Sequence, residues 1–426
     1  MKITKLTLEN FRLFEKLELP FPNSNFIVFI GENGSGKSAI LDAIAIGLSN
    51  IYNDEFMAMS EFLSPIPISV EDIRNRATDA SIDLSFNGFG KSLKILTSTT
   101  RRYSWPILSR EPIPAFPILT YYRVNRTQDN TIKKLYDSQQ KKSSKNQKKF
   151  NSYRFAFDKN ISAFSDFEKW FIVEENIENE QKLDKKDFNF ELDSLIVIRK
   201  AIVKFLTAIH SETFSNLRVR RTRDTNLEFS EPSGLGELII NKGEEEVKLS
   251  QLSSGEKMIL FLVTDIARRL LLLNDESIDA LEKTGIVLID EIEMHLHPKW
   301  QREIVPALKS VFPNIQFIAT THSPQVLSNL SMEDVIVLDE KTYHAPNSNP
   351  KGRDSNGILE EVLGSTTRPM EIDSLISEIF VLLSNQKNEL PLAEIKLKEL
   401  RKKLSKDDPI LIRIENIISR KKITSS

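Results

Sequence analysis

Apolar residues in the first thirty positions fall into three runs. Ile3, Leu6 and Leu8 alternate with polar neighbours, a second run spans 13–19, and Phe26-Ile27-Val28-Phe29-Ile30 is unbroken. The first two patterns predict half-buried strands and the third a strand covered on both faces. Ile40, Leu41, Ile44 and Leu48 then recur at helical spacing. Charged residues dominate 70–80, read as a crossing between strands; 81–86 and 91–97 predict two strands joined by a turn at Asn87-Gly88-Phe89-Gly90. Prolines 106, 112, 114 and 117 mark a loop before a buried strand at 117–122. From 151 to 215 the period becomes helical, with Phe164, Phe167, Trp170 and Phe171 on one stripe and an amphipathic helix at 195–209. Such a stripe reads as core rather than as a base-stacking platform. The run 214–229 carries Arg218, Arg220, Arg221 and Arg223 and reads as an edge strand with a charged face; 234–249 reads as a hairpin turning at Gly243. Further on come an apolar helix from Met258, short apolar strands at 285–289 and 315–320, and helices at 372–383, 392–404 and 409–418.

Composition adds exclusions. The chain has 426 residues, enough for two or three domains, and no cysteine, so disulfides, thiolate zinc sites and cysteine nucleophiles are ruled out. A cytoplasmic setting is the expectation, since the N-terminus has no signal-like apolar stretch and no run approaches membrane-spanning length. A net charge of −2 gives no global pull toward nucleic acid. Any such binding falls to local patches such as the seven lysines between Lys133 and Lys149, which read as a solvated loop or as a phosphate-backbone contact.

Candidate chemistry centres on Gly31-Glu32-Asn33-Gly34-Ser35-Gly36-Lys37-Ser38, a full match to G-x-x-x-x-G-K-[ST] between a predicted strand and a predicted helix. Glycines let backbone N–H groups close around phosphate oxygens, and the helix N-terminus adds unpaired donors. Lys37 is expected at the β and γ phosphates and the Ser38 hydroxyl on Mg²⁺. The strand 285–289 ends in Asp290 and Glu291, where Asp290 is expected to hold Mg²⁺ and Glu291 to orient and deprotonate the attacking water. Ser253, Ser254, Gly255 and Glu256 open the helix that follows Leu252, which reads either as a plain cap or as a second anion-binding terminus.

These motifs resemble the ABC-type ATPases of the SMC, RecF and Rad50 branch, over about 1–125 and 214–340. The resemblance makes Leu252–Glu256 a variant of the L-S-G-G-[EQ] signature, with Ser254 in place of the first Gly. It implies that Ser254 and Gly255 close on ATP held by a second copy, in a head-to-tail dimer or higher homo-oligomer. Arg12, in an N-F-R element, would lie near the nucleotide, the alternative being a solvated turn. Gln128 is a weak candidate for the Gln that senses Mg²⁺. Glu293–Pro298 matches the D-loop region, with His295 and His297 in structural or dimer contacts rather than on a metal, and His322 in Thr-Thr-His-Ser would contact the γ-phosphate. The 290–328 segment and the GRDSNGILEEVLG stretch at 352–364 look most like the PtuA group, ATPase subunits of Septu anti-phage systems with an HNH nuclease partner.

The expected fold is α/β: an ABC-type ATPase head, a P-loop NTPase with a mixed sheet, carrying an inserted helical subdomain and a helical C-terminal tail. The expected divisions are 1–126 with the phosphate loop, 127–213 as the insertion, 214–340 with the signature and second acidic motif, and 341–426 as the tail. No D-x-D ends an apolar strand in the tail, as the Toprim domain of OLD and Gabija nucleases would require, so no nuclease centre is expected here. Asp407 and Asp408 read as a cap for the last helix, and the tail as a docking element or a pair packed on the core. The resemblance implies a chain that uses ATP and Mg²⁺ to regulate a separate HNH nuclease. The rival readings are a RecF-like clamp binding DNA directly and a nucleotide sensor that does not hydrolyse.

Overall fold

The computed structural model describes the chain apart from residues 50–65, 89–90, 99–116, 125–151, 154–155, 158–163, 210–213, 222–235, 340–341, 365–367, 385–388 and 424–426. Gln128, Arg126, Arg223, the lysine-rich 133–149 stretch, three of the four loop prolines and the hairpin tip Phe89-Gly90 therefore lie outside the described residues. Two compact units result, Met1–Arg353 and Asp354–Ser426.

In the first unit, strand β1 (Lys2–Phe11) turns into β2 (Phe14–Pro20) through Arg12-Leu13. The odd three-residue step from Ile3 to Leu6 has a cause: the pairing register shifts between Ile3 and Lys5, which returns Leu6 and Leu8 to the buried face. Strand β3 (Phe26–Gly31) runs into helix α1 (Lys37–Ser49). Strands β4 (Ser81–Gly88) and β5 (Lys91–Ser98) complete an antiparallel sheet ordered β2-β1-β4-β5.

The second sheet carries the candidate chemistry. After β6 (Ile118–Tyr122) come helices α2 (Phe164–Lys185) and α3 (Asp193–Ile209). A small sheet follows, formed by β7 (Phe214–Arg220), β8 (Glu237–Lys242) and β9 (Glu245–Lys248), with β7 at its edge. Then come helix α4 (Ser254–Leu273), strand β10 (Gly285–Ile289), helix α5 (Pro298–Val311), strand β11 (Ile315–Thr320), short helix α6 (Pro324–Leu327) and strands β12 (Val335–Asp339) and β13 (Thr342–His344). The order is β13-β12-β3-β11-β10-β6, parallel throughout except for β13. Strands covered on both faces favour continuous apolar runs, as in β3 and β10, while β6 and β11 are equally buried but include Thr120 and Gln316.

Helix α1 is apolar almost all round because it is sandwiched between the two sheets. On the other side α4 packs on β6, with Phe261 edge-on to Tyr122 at 5.7 Å between ring centres. Phe167 and Phe171 of the aromatic stripe are fully buried. No helix among the described residues is long and apolar enough to cross a membrane.

The second unit holds α7 (Ser355–Glu361) and a bundle of α8 (Met370–Ser384), α9 (Leu390–Lys403) and α10 (Pro409–Ile423). Ile376, Ile379, Leu400 and Ile414 meet in a core of its own. Asp408 caps α10 by accepting the Ile410 N–H at 2.9 Å and takes both arms of Arg368 at 2.8 and 2.9 Å.

Candidate active site

The parallel strands β3, β10, β11 and β6 all end on one side of the second sheet, the edge where open α/β folds bind ligands. Two close approaches explain the glycines of the phosphate loop. Gly31 has φ +145°, and a Cβ there would stand 2.2 Å from the Leu338 carbonyl oxygen of β12. Gly36 has φ +101°, and its Cβ would strike the Phe14 ring at 2.6 Å. The loop is thus held between the second sheet and the β1–β2 hairpin. Gly34 faces open space, and Asn33 is exposed beside it. The Ser35 hydroxyl is buried with no hydrogen-bond partner, the condition of a group built to meet a ligand. Lys37 Nζ donates to the carbonyls of Gly31 (2.9 Å) and Glu32 (2.7 Å), and burial lowers its pKa against the pull of Asp290, Glu291 and Glu293.

Ser38 Oγ donates to Asp290 Oδ1 at 3.2 Å, joining the first and second motifs. Asp290 is positioned twice more. Its N–H donates to the Tyr122 carbonyl at 2.8 Å, and Thr320 Oγ1 donates to its carboxylate at 2.6 Å. Glu291 follows in the left-handed region at φ +47°, a conformation costly for a residue with a Cβ. Its N–H donates to Thr320 Oγ1 at 2.8 Å, so the hydroxyl that supports Asp290 also pins Glu291.

Glu293 was read only as part of the D-loop, yet its carboxylate holds the segment bearing His322. It accepts Thr321 Oγ1 at 2.6 Å and the His322 N–H at 2.7 Å. The His322 side chain is exposed. Gln301 links the same elements, donating to the Leu296 carbonyl and accepting from Ser323 Oγ.

Around the signature, both readings of the helix start meet. Ser253 and Glu256 form a capping box, with the Glu256 carboxylate accepting the Ser253 N–H at 2.8 Å. Ser254 is left exposed on the first turn, while Gly255 is buried and its Cβ would stand 2.7 Å from the His295 carbonyl oxygen and 3.2 Å from Trp300. His295 contributes its backbone here, at φ +64°, and His297 caps α5. Among the described residues no group of three or more His, Cys, Asp and Glu could hold a metal.

The family model described as "AAA domain, putative AbiEii toxin, Type IV TA system" matches residues 26–328, from the first residue of β3 to just past α6. The chain belongs to this family of AAA ATPases. It is 30% identical to the Retron Ec83 probable ATPase of Escherichia coli, over 87% of this chain and 78% of that protein. It is 24% identical to the Septu protein PtuA of Bacillus thuringiensis, over 88% of this chain and 87% of that protein. The SMC head in complex with the C-winged helix domain of ScpA aligns at TM-score 0.42 and 17% identity, covering 81% of this chain and 97% of that one. The resemblance to PtuA is met by these relatives, and the retron ATPases extend it.

Arg12, upstream of the matched domain, is half-buried and paired rather than a solvated turn residue. Its guanidinium binds Asp42 of α1 at 2.7 Å and Asp72 at 2.9 Å. Burial would lower its pKa, but the two carboxylates outweigh burial and raise it. Arg123, just past β6, also pairs with Asp42. Asp42 was absent from the sequence reading, although a lone acid between Leu41 and Ala43 in an apolar helix was a signal.

Proposed function

We propose that this chain binds and hydrolyses ATP with Mg²⁺ as the nucleotide-controlled subunit of an anti-phage defence complex. The observation that carries the chemistry is the meeting of Ser38 Oγ and Asp290 Oδ1 at 3.2 Å, where a phosphate-loop helix faces a strand end. Two oxygen donors there fit a small hard cation that takes the rest of its shell from water and phosphate. Bound at that point, Mg²⁺ would neutralise charge on the β and γ phosphates. Backbone N–H groups around Gly34, Ser35 and Gly36 cradle the phosphates, and the unpartnered Ser35 hydroxyl adds a donor. Lys37 moves from the Gly31 and Glu32 carbonyls to phosphate oxygens. Glu291 takes the proton of the attacking water, and His322, steadied by Glu293, stands at the γ-phosphate side. Ser254 and Gly255 complete the site of a second copy, so closure of the dimer reports bound ATP.

Support for the defence role comes from the relatives, which include retron ATPases and Septu proteins. On the Septu resemblance this reading assigns the chain an HNH nuclease partner, and the cutting is done by that partner and not by this chain. The test is to express the chain with and without its genomic neighbours and to measure mass, ATP hydrolysis and DNA cleavage. ATP turnover that vanishes in Lys37→Ala, with a co-purifying nuclease whose cutting follows ATP, supports the proposal. A lone dimer that binds DNA by itself would replace it with the RecF-like clamp.

A further inference from the structure

Tyr121 and Tyr122 end β6 side by side and face opposite ways. Tyr122 turns to α4, where its hydroxyl donates to Asp265 at 2.8 Å. Tyr121 pairs in register with Leu288 of β10, and Asp290 lies two residues beyond Leu288. Side chains alternate along strands, so Tyr121, Leu288 and Asp290 share the face that looks at α1. On α1 the residues Ser38 and Asp42 are one turn apart on one side. Ser38 bonds Asp290, and Asp42 gathers Arg12 and Arg123.

Arg123 lies over the Tyr121 ring, its guanidinium carbon 4.1 Å from the ring centre, so the phenol is clamped flat. Tyr121 is only 4% exposed, yet its hydroxyl has no hydrogen-bond partner. Buried hydroxyls are nearly always paired, as that of Tyr122 is. Burial, with Asp290 and Asp42 nearby, raises its pKa well above the ordinary phenol value, so the hydroxyl stays neutral.

We propose that Tyr121 is a positioning residue of the ATP reaction: its hydroxyl oxygen accepts a hydrogen bond from a water of the Mg²⁺ shell between Ser38, Asp290 and Asp42. The inference rests on the ATP reading above. It assigns Arg123 the task of holding the ring, and it explains why a tyrosine rather than a phenylalanine stands on an otherwise apolar strand face.

The test is Tyr121→Phe, which keeps the ring under Arg123 and removes one oxygen. Binding of a fluorescent ATP analogue is measured with Mg²⁺ and with EDTA, beside ATP hydrolysis over a Mg²⁺ titration and a thermal melt. Outer-shell partners of metal sites are worth about 10- to 100-fold, so half-saturating Mg²⁺ should rise and kcat fall by about tenfold. Affinity in EDTA and the melting temperature should stay at wild-type values. Unchanged Mg²⁺ dependence overturns the proposal, whether or not the melting temperature falls. Equal losses of affinity with and without Mg²⁺ overturn it too, because they mark a purely structural role. Wild-type protein that binds no ATP would remove the nucleotide reading itself, and this proposal with it.

Discussion

Thr320 Oγ1 donates a 2.6 Å hydrogen bond to Asp290 Oδ1, and the same oxygen accepts the N–H of Glu291 at 2.8 Å. One hydroxyl at the end of β11 therefore fixes the adjacent acids at the end of β10. Thr320→Val keeps the shape and removes both bonds. Half-saturating Mg²⁺ for ATP hydrolysis should rise by about 10- to 100-fold. Thr320→Ser should restore most of the loss. A valine variant with wild-type Mg²⁺ dependence would show that the β-strand pairing alone positions Asp290.

Glu291 and Lys37 should separate binding from chemistry. Glu291→Gln retains a hydrogen-bonding amide but cannot take a proton, so kcat should drop by about 10²- to 10⁴-fold while ATP still binds. Dimers should accumulate in ATP, as read by light scattering. Lys37→Ala should lose nucleotide binding. If Glu291→Gln behaves as wild type while Lys37→Ala does not, the chain is a sensor that does not hydrolyse.

Ser254 is exposed at the first turn of α4, beside a buried Gly255. A long cation at 254 can extend into solvent in the monomer but obstructs anything seated on the helix start. Ser254→Arg should leave ATP binding by the monomer intact and abolish both dimerisation and turnover. Normal hydrolysis by this variant would end the idea of a shared site.

Asp265 and Arg269 form an ion pair at 2.6 Å inside the protein, with Tyr122 donating to the same carboxylate. Asp265 is wholly buried and Arg269 is 4% exposed. Removing the carboxylate leaves a buried guanidinium without its counter-charge, which costs about 3–5 kcal/mol. Asp265→Asn should lower the urea midpoint accordingly. Tyr122 and Asp290 are joined through the main chain, so the variant should also weaken ATP turnover. A midpoint near wild type would mean that Arg269 finds another acceptor.

The elements were legible because their periods were clean. β3 and β10 were continuous apolar runs, β11 was one broken only by Gln316, and α1 followed a recognisable loop. The motifs located both halves of the site for the same reason: the spacing of Gly31, Gly36 and Lys37 is a property of the chain itself. What the sequence did not disclose was how side chains from distant segments meet. Asp42 serving two arginines, Thr320 serving two acids and Glu293 holding the His322 segment all depend on pairings between strands and helices far apart in the chain. Arg12 shows the difference: its place in a turn was readable, but its partners at positions 42 and 72 were not. Gln301 carries no pattern at all, since a single amide among charged helix residues looks like solvent-facing surface.

The position of β3 has a consequence for synthesis. Phe26 pairs with Phe317 on one side, and Val28 with Val335 on the other. Contacts of such long range form slowly, because chain closure must precede them. Until β11 and β12 have left the ribosome, the strand that carries the phosphate loop has two bare edges and nothing to pair with. The Leu338 carbonyl that closes on Gly31 arrives later still. A nascent or truncated chain that stops short of β12 therefore contains every residue of the G-x-x-x-x-G-K-S motif and no pocket in which to use it. Translation has to run nearly to the end of the first unit before the phosphate loop can take up its folded setting.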